Sequence, residues 1–314
     1  MEPLLLITNT DAGSAQDAAL EQALAVLRER TDVEVAATSN PGELDGVLHR
    51  AGSRTVVIAG GDGSVHAVIK ALHRRNDLAN TTLALIPLGT GNDFARTLEI
   101  PLDPAESAAA LLEGAPRRMD LIVDELGGVV VNNVHAGASA QASRHGAQWK
   151  KRLGRFGIGI LGYPLGAAVA AVKPPFVRLR IEADGEVISD MDQHVLMVSI
   201  GNGASVGGGT ELNPDADPGD GKLDVMVSLA TGPASRFGFA WRLRNAEHPE
   251  RDDVITVRAT QVTVSGEKFY LAADGELEGP ERRRSWRLER GAYSMVVPRA
   301  TRSFSTRGSS ESAK

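Results

Sequence analysis

The stretch Val56-Val57-Ile58-Ala59-Gly60-Gly61-Asp62-Gly63-Ser64 decides the fold of this chain. Its first four residues are apolar without interruption, which predicts a buried strand. Glycines follow directly, and beyond them apolar residues recur at helical spacing from Val65 to Leu72. A strand, a glycine turn and a helix in this order indicate a parallel α/β sheet, in which ligands bind at the carboxyl ends of the strands.

The same alternation of strand and helix fills the first part of the chain. Short apolar runs predict further strands at 4–7, 33–35, 83–87 and 119–123. Helical spacing predicts a helix over 15–27, and Asp103-Pro104 with Glu106 predicts the capped start of another. From Val129 onward, turn residues separate short strands, a pattern typical of antiparallel sheet. These strands are predicted at 177–182, 194–200, 223–229, 254–257, 261–264, 268–272, 285–288 and 293–298.

The change of pattern predicts two domains and a tail. Residues 1–125 form a mostly parallel α/β domain, and residues 126–300 form a β-rich, antiparallel, sandwich-like domain. Residues 301–314 are rich in Ser, Thr and Arg with almost nothing apolar, which predicts disorder.

Composition narrows the function further. The 314 residues include no cysteine, which excludes disulfides, thiolate metal sites and a cysteine nucleophile. A net charge of -6 and an aromatic content of 4% argue against a nucleic-acid partner. The N-terminus shows no signal-peptide pattern, and the longest apolar stretch, Phe156–Val172, is interrupted by glycines and Pro164. We expect a cytoplasmic protein without a transmembrane segment, in which that stretch is buried or meets the inner face of a membrane.

Two glycine turns are the first candidates for chemistry. The turn Gly60–Ser64 opens a helix, so its N–H groups suit phosphate, and Asp62 suits a Mg²⁺ that accompanies the phosphate. The second turn, Pro87–Phe94, also ends a strand and offers Thr90 and Asn92. Neighbouring parallel strands would bring both turns to one edge of the sheet. The alternative is that both turns are tight connections only, with Asp62 as a helix cap.

Two acidic turns in the second half are weaker signals. Asp217, Asp220 and Lys222 lie in one Pro/Gly turn, which suits a hard cation or is a plain acidic connection between strands. Asp274-Gly275-Glu276 follows a strand, so Asp274 is either a general base for a hydroxyl or part of a hairpin turn. Gly157–Gly162 matches a dinucleotide fingerprint, but no strand is predicted before it, and the chain has no P-loop.

Together these motifs resemble the diacylglycerol kinase catalytic-domain family, which includes bacterial soluble lipid kinases and sphingosine kinases. The resemblance rests on Gly60–Ser64 and Pro87–Ala95, and it is supported by residues 201–203, 207–209, 220–225 and 274–276. It spans Leu4 to Pro298 and implies a nucleotide-binding α/β domain and a β-rich domain, with the active site in the cleft between them. It also implies an ATP- and Mg²⁺-dependent kinase that phosphorylates diacylglycerol or a related lipid at a membrane surface.

The resemblance implies roles for individual residues. Asp274 is the implied base for the lipid hydroxyl, and Asp62 is a second catalytic carboxylate. A structural Mg²⁺ is implied at Asp217, Asp220 and the carbonyl of Lys222. ATP contacts are implied at Asn9, Gly13, Thr38, Gly60, Gly61, Asp62, Gly63, Ser64, His66, Thr90, Asn92 and Glu276.

The chain departs from the family pattern in its first turn. Thr10 stands where the family has proline and Ala12 where it has serine, which puts the phosphate contact of residues 9–13 in question. Ser64 replaces a threonine and keeps the hydroxyl.

Two rival functions fit part of the same pattern. They are a NAD kinase, which shares the Gly-Gly-Asp-Gly turn, and a catalytically silent nucleotide-binding regulator. The segment Asn92–Phe94 argues against the NAD kinase. The presence of the carboxylates Asp62, Asp217, Asp220 and Asp274 argues against the regulator. The sequence does not identify the lipid or the oligomeric state, a homodimer included, nor whether the basic residues at 150–155 beside Phe156–Val172 meet a membrane.

Overall fold

The first half of the chain folds as a parallel sheet because its predicted apolar runs become buried strands. The computed structural model describes residues 3–10, 14–137 and 176–299, together with Ala140. A short 3-10 turn, Leu78–Asn80, precedes the fourth strand. The other elements of this half are β1 (Leu4–Asn9), α1 (Ser14–Arg28), β2 (Val33–Thr38), α2 (Pro41–His49), β3 (Thr55–Gly60), α3 (Asp62–Arg74), β4 (Thr82–Pro87), α4 (Asp93–Thr97), α5 (Pro104–Glu113) and β5 (Ala115–Asp124).

Helices cover both faces of this sheet. Strand β1 lies between β2 and β3, and β4 follows β3, with all four strands parallel. Val56 and Ile58 pack in a core with α2 and α3, whereas Val57 and Ala59 pack on the opposite face with α1 and α5. Burial on both faces explains why β3 is an unbroken apolar run in the sequence.

The second half is mainly antiparallel, and the predicted fold class is confirmed. Strands β14, β13, β10, β7 and β15 are successive antiparallel neighbours, and β8 pairs with β15. Their inward side chains form a second core around Trp286 and Phe269. The elements are β6 (Val129–Val130), β7 (Asn133–Gly137), β8 (Leu179–Ala183), β9 (Glu186–Ser189), β10 (Met197–Gly201), β11 (Ser205–Val206), β12 (Thr210–Glu211), β13 (Leu223–Ser228), α6 (Pro233–Leu243), β14 (Val254–Ala259), β15 (Gln261–Ala273) and β16 (Glu276–Val297), with a 3-10 turn at His248–Glu250.

Strand β16 joins the two halves. It is one continuous strand of 22 residues, where the sequence predicted two separate strands. It pairs with β15 over residues 276–287 and with β5 from Trp286 onward, with an irregularity in the pairing to β5 between Glu289 and Tyr293. Near its end it also pairs in parallel with β4, through Ser294 and Met295. Strand β16 therefore returns to the parallel sheet of the first half, while the predicted division at residue 125 stays a prediction.

Several predictions concern residues outside the described ranges. These are Gly13, the apolar stretch 156–172 with its basic flank, the dinucleotide-like run 157–162 and the tail 301–314. Within the described ranges, none of the helices combines the length and the apolar character needed to cross a bilayer.

Candidate functional site

The two glycine turns lie side by side at the carboxyl edge of the parallel sheet. Gly60 and Pro87 pair in register at the ends of β3 and β4. The backbones of Gly61 and Gly89 touch, since a Cβ on Gly61 would lie only 2.9 Å from Gly89 Cα. A larger residue at either position would push the turns apart, so both glycines are needed for this contact. The structure thus brings together two turns that the sequence placed at one edge.

Asp62, the first residue of α3, holds the second turn in place. Its Oδ1 accepts a hydrogen bond from the N–H of Phe94 (2.9 Å), and its Oδ2 accepts one from the N–H of Asp93 (3.1 Å). These amides lie at the start of α4, where helical N–H groups lack partners within their own helix. A carboxylate has about four lone-pair sites, so Asp62 retains acceptor capacity that fits a cation carried by phosphates. Its role toward Mg²⁺ stays a prediction.

Asn92 closes the second turn upon itself. Its Oδ1 accepts from Gly89 N–H (3.0 Å), and its Nδ2 donates to Gly89 O (2.8 Å). The backbone of Asn92 is left-handed (φ 54°), a conformation that asparagine tolerates better than most residues. Its amide is therefore used within the turn, and the implied ATP contact stays a prediction. Thr90 lies exposed at the tip of the same turn.

Asp93 connects the second turn to the C-terminal half, and sequence reasoning did not select it. The side chain is buried and accepts hydrogen bonds from the N–H groups of Gly208 (3.0 Å) and Gly209 (2.7 Å). Both glycines have positive φ (93° and 107°), which turns their N–H groups toward the carboxylate. The sequence signals that could have identified Asp93 are the Asn92-Asp93 pair after the second glycine turn and the three consecutive glycines at 207–209.

Asp274 lies in the turn between β15 and β16 and is held by a row of backbone amides. Its Oδ2 accepts from Val131 N–H (2.7 Å), and its Oδ1 accepts from the N–H groups of Asn132 (2.9 Å) and Asn133 (3.3 Å). The side chain is only 3% exposed. The sequence left a hairpin turn or a general base as alternatives; the structure shows the turn between paired strands, and the role of Asp274 as a base stays a prediction.

His66 completes the surroundings of Asp274 from the other half of the molecule. It lies on α3, one turn beyond Asp62, and its Nδ1 is 2.8 Å from Asp274 Oδ2. Its Nε2 is buried and has no hydrogen-bond partner within the described ranges. The helix that begins at the first glycine turn therefore carries a side chain directly onto the candidate catalytic carboxylate.

Tyr293 lies close to the same carboxylate, in the interior. Burial raises the pKa of Tyr293 far above its ordinary value, and the charges of Asp274 and Asp120 raise it further. The phenol therefore stays neutral. Asp120 is engaged elsewhere, since its oxygens accept from the N–H groups of Gly221 (2.7 Å) and Gly291 (2.6 Å).

The other implied ATP contacts lie at strand and helix ends in both halves of the molecule. Asn9 and Thr38 are paired at the ends of β1 and β2, beside the glycine turns. Gly63 is exposed, with open space where a Cβ would be, and Ser64 follows it in the first turn of α3. Glu276 is exposed at the first residue of β16. The ATP contacts of these residues stay predictions.

In the loop implied to hold a structural Mg²⁺, the carboxylates form ion pairs with arginines. Asp217 Oδ1 pairs with Arg117 Nη2, and Asp220 Oδ2 pairs with Arg258 Nη2. Lys222 donates its N–H to Asp220 Oδ1 (3.0 Å), whereas the implied metal contact is its carbonyl. Within the described ranges no three metal-ligating side chains cluster. Carboxylates that are already paired with guanidinium groups do not fit a bound Mg²⁺ in this arrangement, and the metal role implied for the loop stays a prediction.

Asp224, on β13 beside that loop, lies in an acidic environment. Burial raises the pKa of Asp224 to about 6; Arg258 opposes this shift, while Asp220, Asp215 and Asp217 add to it. The nearest counter-charge, Arg258 Nε, is 3.6 Å from Asp224 Oδ1. Burial and the neighbouring carboxylates together therefore outweigh the effect of Arg258 on the pKa of Asp224.

Family comparisons cover most of the chain. Residues 3–123 match the diacylglycerol kinase catalytic domain, and residues 132–302 match the YegS C-terminal NAD kinase beta sandwich-like domain. This chain belongs to the diacylglycerol kinase catalytic-domain family. Membership confirms the resemblance drawn from the two glycine turns and the prediction that this diacylglycerol kinase family member is a kinase.

Individual relatives of this diacylglycerol kinase family member extend over nearly its whole length. It is 31% identical to a Pseudomonas aeruginosa protein named "Probable lipid kinase YegS-like", over 94% of each chain. It is 29% identical to the "Diacylglycerol kinase" of Bacillus subtilis, over 71% of each. A crystal structure of a diacylglycerol kinase from Bacillus anthracis matches with a TM-score of 0.68 at 21% identity, covering 95% of this chain and 97% of that one. This last likeness shows a shared fold.

Proposed function

We propose that this diacylglycerol kinase family member transfers the γ-phosphoryl group of ATP to a lipid hydroxyl, with diacylglycerol as the first acceptor to test and phosphatidic acid as its product. One observation carries the proposal: α3 begins at the first glycine turn and brings His66 within 2.8 Å of Asp274. A turn suited to phosphate and a group suited to proton transfer therefore serve one reacting centre. The printed names of the relatives agree with a lipid acceptor.

The proposed chemistry depends on positioning and charge. Phosphoryl transfer requires an in-line approach and neutralisation of the phosphate oxygens more than covalent help from the protein. The N–H groups at Gly61, Gly63 and the start of α3 suit the phosphates, since a helix N-terminus favours negative charge. Mg²⁺ bound to ATP would neutralise phosphate charge when present, near Asp62. Asp274 belongs to the acid–base step at the lipid hydroxyl.

A lipid acceptor places the reaction at a membrane surface. We propose a cytoplasmic protein that binds peripherally at the inner face, because ATP is there and because the sequence carries basic stretches at 150–155 and 276–314. Flotation with anionic liposomes tests this point. Lack of binding even at low salt would contradict peripheral attachment while leaving the phosphotransfer open.

The direct test is an acceptor panel. Purified protein is incubated with Mg²⁺ and γ-labelled ATP and, in separate reactions, with diacylglycerol, sphingosine, ceramide, phosphatidylglycerol or NAD in matched detergent micelles. We expect labelled phosphatidic acid, or the phosphate ester of another lipid in the panel. Labelled NADP alone would replace the proposal by NAD kinase activity. No product from any acceptor, with ATP binding intact, would favour the silent regulator.

A further inference from the structure

The acceptor capacity of Asp274 is already filled. A carboxylate has about four lone-pair sites. Three accept the amides of Val131, Asn132 and Asn133, and the fourth accepts His66 Nδ1. A substrate hydroxyl that delivered its proton to Asp274 would have to displace one of these contacts. The backbone amides belong to a buried segment and cannot move aside as a mobile side chain would.

His66 offers the acceptor atom that Asp274 lacks. A carboxylate only accepts hydrogen bonds, so the short contact of Asp274 fixes the proton of a neutral imidazole on Nδ1. The lone pair then lies on Nε2, which is buried and has no partner within the described ranges. A buried polar atom without a partner is costly, and in native structures such atoms call for an explanation such as a catalytic role. The His66 side chain as a whole keeps 12% exposure, so part of the ring lies at the solvent-accessible surface.

We propose that His66 is a catalytic residue: its Nε2 takes the proton of the acceptor hydroxyl, and Asp274 orients the ring and stabilises the imidazolium. The inference rests on the proposed phosphotransfer and moves the proton acceptor from Asp274 to His66. The hydroxyl O–H bond breaks and its proton passes to Nε2. The hydroxyl oxygen bonds to the γ-phosphorus, the bond from that phosphorus to the bridging oxygen breaks, and ADP leaves with the electron pair. The proton returns to solvent after product release.

The two proposed roles, proton acceptor for His66 and orienting carboxylate for Asp274, are ones that histidine–carboxylate pairs commonly share. A buried carboxylate fixes the tautomer of a histidine and stabilises its cation, while the far nitrogen exchanges the proton with the substrate. Here the carboxylate comes from one half of the molecule and the histidine from α3 in the other. The His66–Asp274 pair therefore forms only when the first glycine turn and the β-rich half pack against each other as observed.

Kinetics with a matched control separate this role from the ATP contact implied by the sequence. His66→Ala should lower kcat about 10²- to 10⁴-fold, the usual range for general acid–base catalysis, with ATP affinity by calorimetry unchanged within about threefold. Added imidazole should restore part of the lost rate. His73→Ala, on the same helix but 3.2 Å from Glu289, should keep the wild-type rate. A weakened ATP affinity with kcat retained would overturn the proposal in favour of a phosphate contact.

A spectroscopic test does not depend on the acceptor. In ¹⁵N-histidine-labelled protein, the neutral form of His66, identified by the signal missing from His66→Ala, should carry its proton on Nδ1 and show a non-protonated Nε2. Asp274→Asn should abolish that preference while the melting temperature confirms folding. A neutral wild-type ring that carries its proton on Nε2 would overturn the proposal. If the wild type phosphorylates no acceptor, the proposed function fails, and the tautomer still decides whether His66 has the lone pair that this inference requires.

Discussion

Two groups of carboxylates in this molecule look alike in sequence and are held in different ways. Asp274 and Asp93 are buried, and their oxygens accept hydrogen bonds from backbone amides of distant segments. Asp217 and Asp220, in a turn equally rich in glycine, are 44% and 28% exposed and pair with arginine side chains. The first pair lies at the meeting of the two halves of the molecule, and the second lies at its surface.

The difference shows what prepares a carboxylate for chemistry. Backbone amides are fixed by the fold, so they hold Asp274 and Asp93 in place without having to order flexible side chains. An exposed arginine pair must order two side chains and is screened by salt, so it contributes little.

The largest effect is expected at Asp274. Asp274→Asn should lower the turnover rate about 10²- to 10⁴-fold, because asparagine cannot stabilise a positive imidazole, while ATP binding is retained. The assay is lipid phosphorylation with ATP affinity measured in parallel. Asp192→Asn, an exposed aspartate outside the site, should behave as wild type. An undiminished rate in Asp274→Asn would remove this residue from the acid–base step.

Asp93→Asn should destabilise the fold by about 1–3 kcal/mol, since an amide cannot accept from all the N–H groups that Asp93 accepts from. Urea unfolding measures the change. Asp103→Asn is the matched control: Asp103 also accepts two backbone amides, but at the exposed start of α5, where asparagine caps equally well. Equal losses in both variants would mean that burial adds nothing to the Asp93 contact.

Asp224→Asn should stabilise the protein by about 1–3 kcal/mol at neutral pH, one pKa unit corresponding to 1.36 kcal/mol. The folded-state pKa of about 6 lies above the unfolded value near 3.8, so the folded state binds more protons between these values and the charged carboxylate opposes folding above them. The gain should therefore be present at about pH 7.5 and absent at about pH 4. Melting curves of wild type and variant at both pH values decide; a gain that does not change with pH would contradict the raised pKa.

The smallest effect is expected in the loop of Asp217 and Asp220. Asp217→Asn should change the free energy of unfolding by at most about 1 kcal/mol, as for other exposed ion pairs, and less at high salt. Melting temperatures are compared with Mg²⁺ and with EDTA. A rise with Mg²⁺ that Asp217→Asn abolishes would show that the loop holds a metal after all, and the contrast between the two groups of carboxylates would weaken.

Local patterns predicted the elements wherever neighbours in sequence are also neighbours in space. The run Val56–Ala59 and the helical stripe after Val65 are such patterns, and so is the Asp103 cap. They failed where tertiary contacts override local signals. Strand β16 was read as two strands because Gly291 (φ 54°) separates its apolar stretches, beside the irregularity in its pairing. Helix α6 was missed because it leaves Phe237 and Trp241 exposed, so its apolar residues form no single stripe.

The candidate site was predicted only in part. The glycine turns and Asp274 stand out in the sequence because small residues and a carboxylate at strand ends suit phosphate and proton transfer. The partners of Asp274 carried no such signal. Val131, Asn132 and Asn133 act through backbone N–H groups, which every non-proline residue has, and the role of Arg117 depends on where its side chain meets Asp217.

The sequence by itself determined the α/β plus β fold, the kinase family and the turns that suit phosphate, because these depend on hydrophobic period and on glycine at strand ends. Only the tertiary structure decided that Asp62 and Asp93 tie turns together and that Asp217 and Asp220 are balanced by arginines. It also decided that His66 faces Asp274. These are contacts between residues up to 208 positions apart, and their geometry exists only once the two halves have packed.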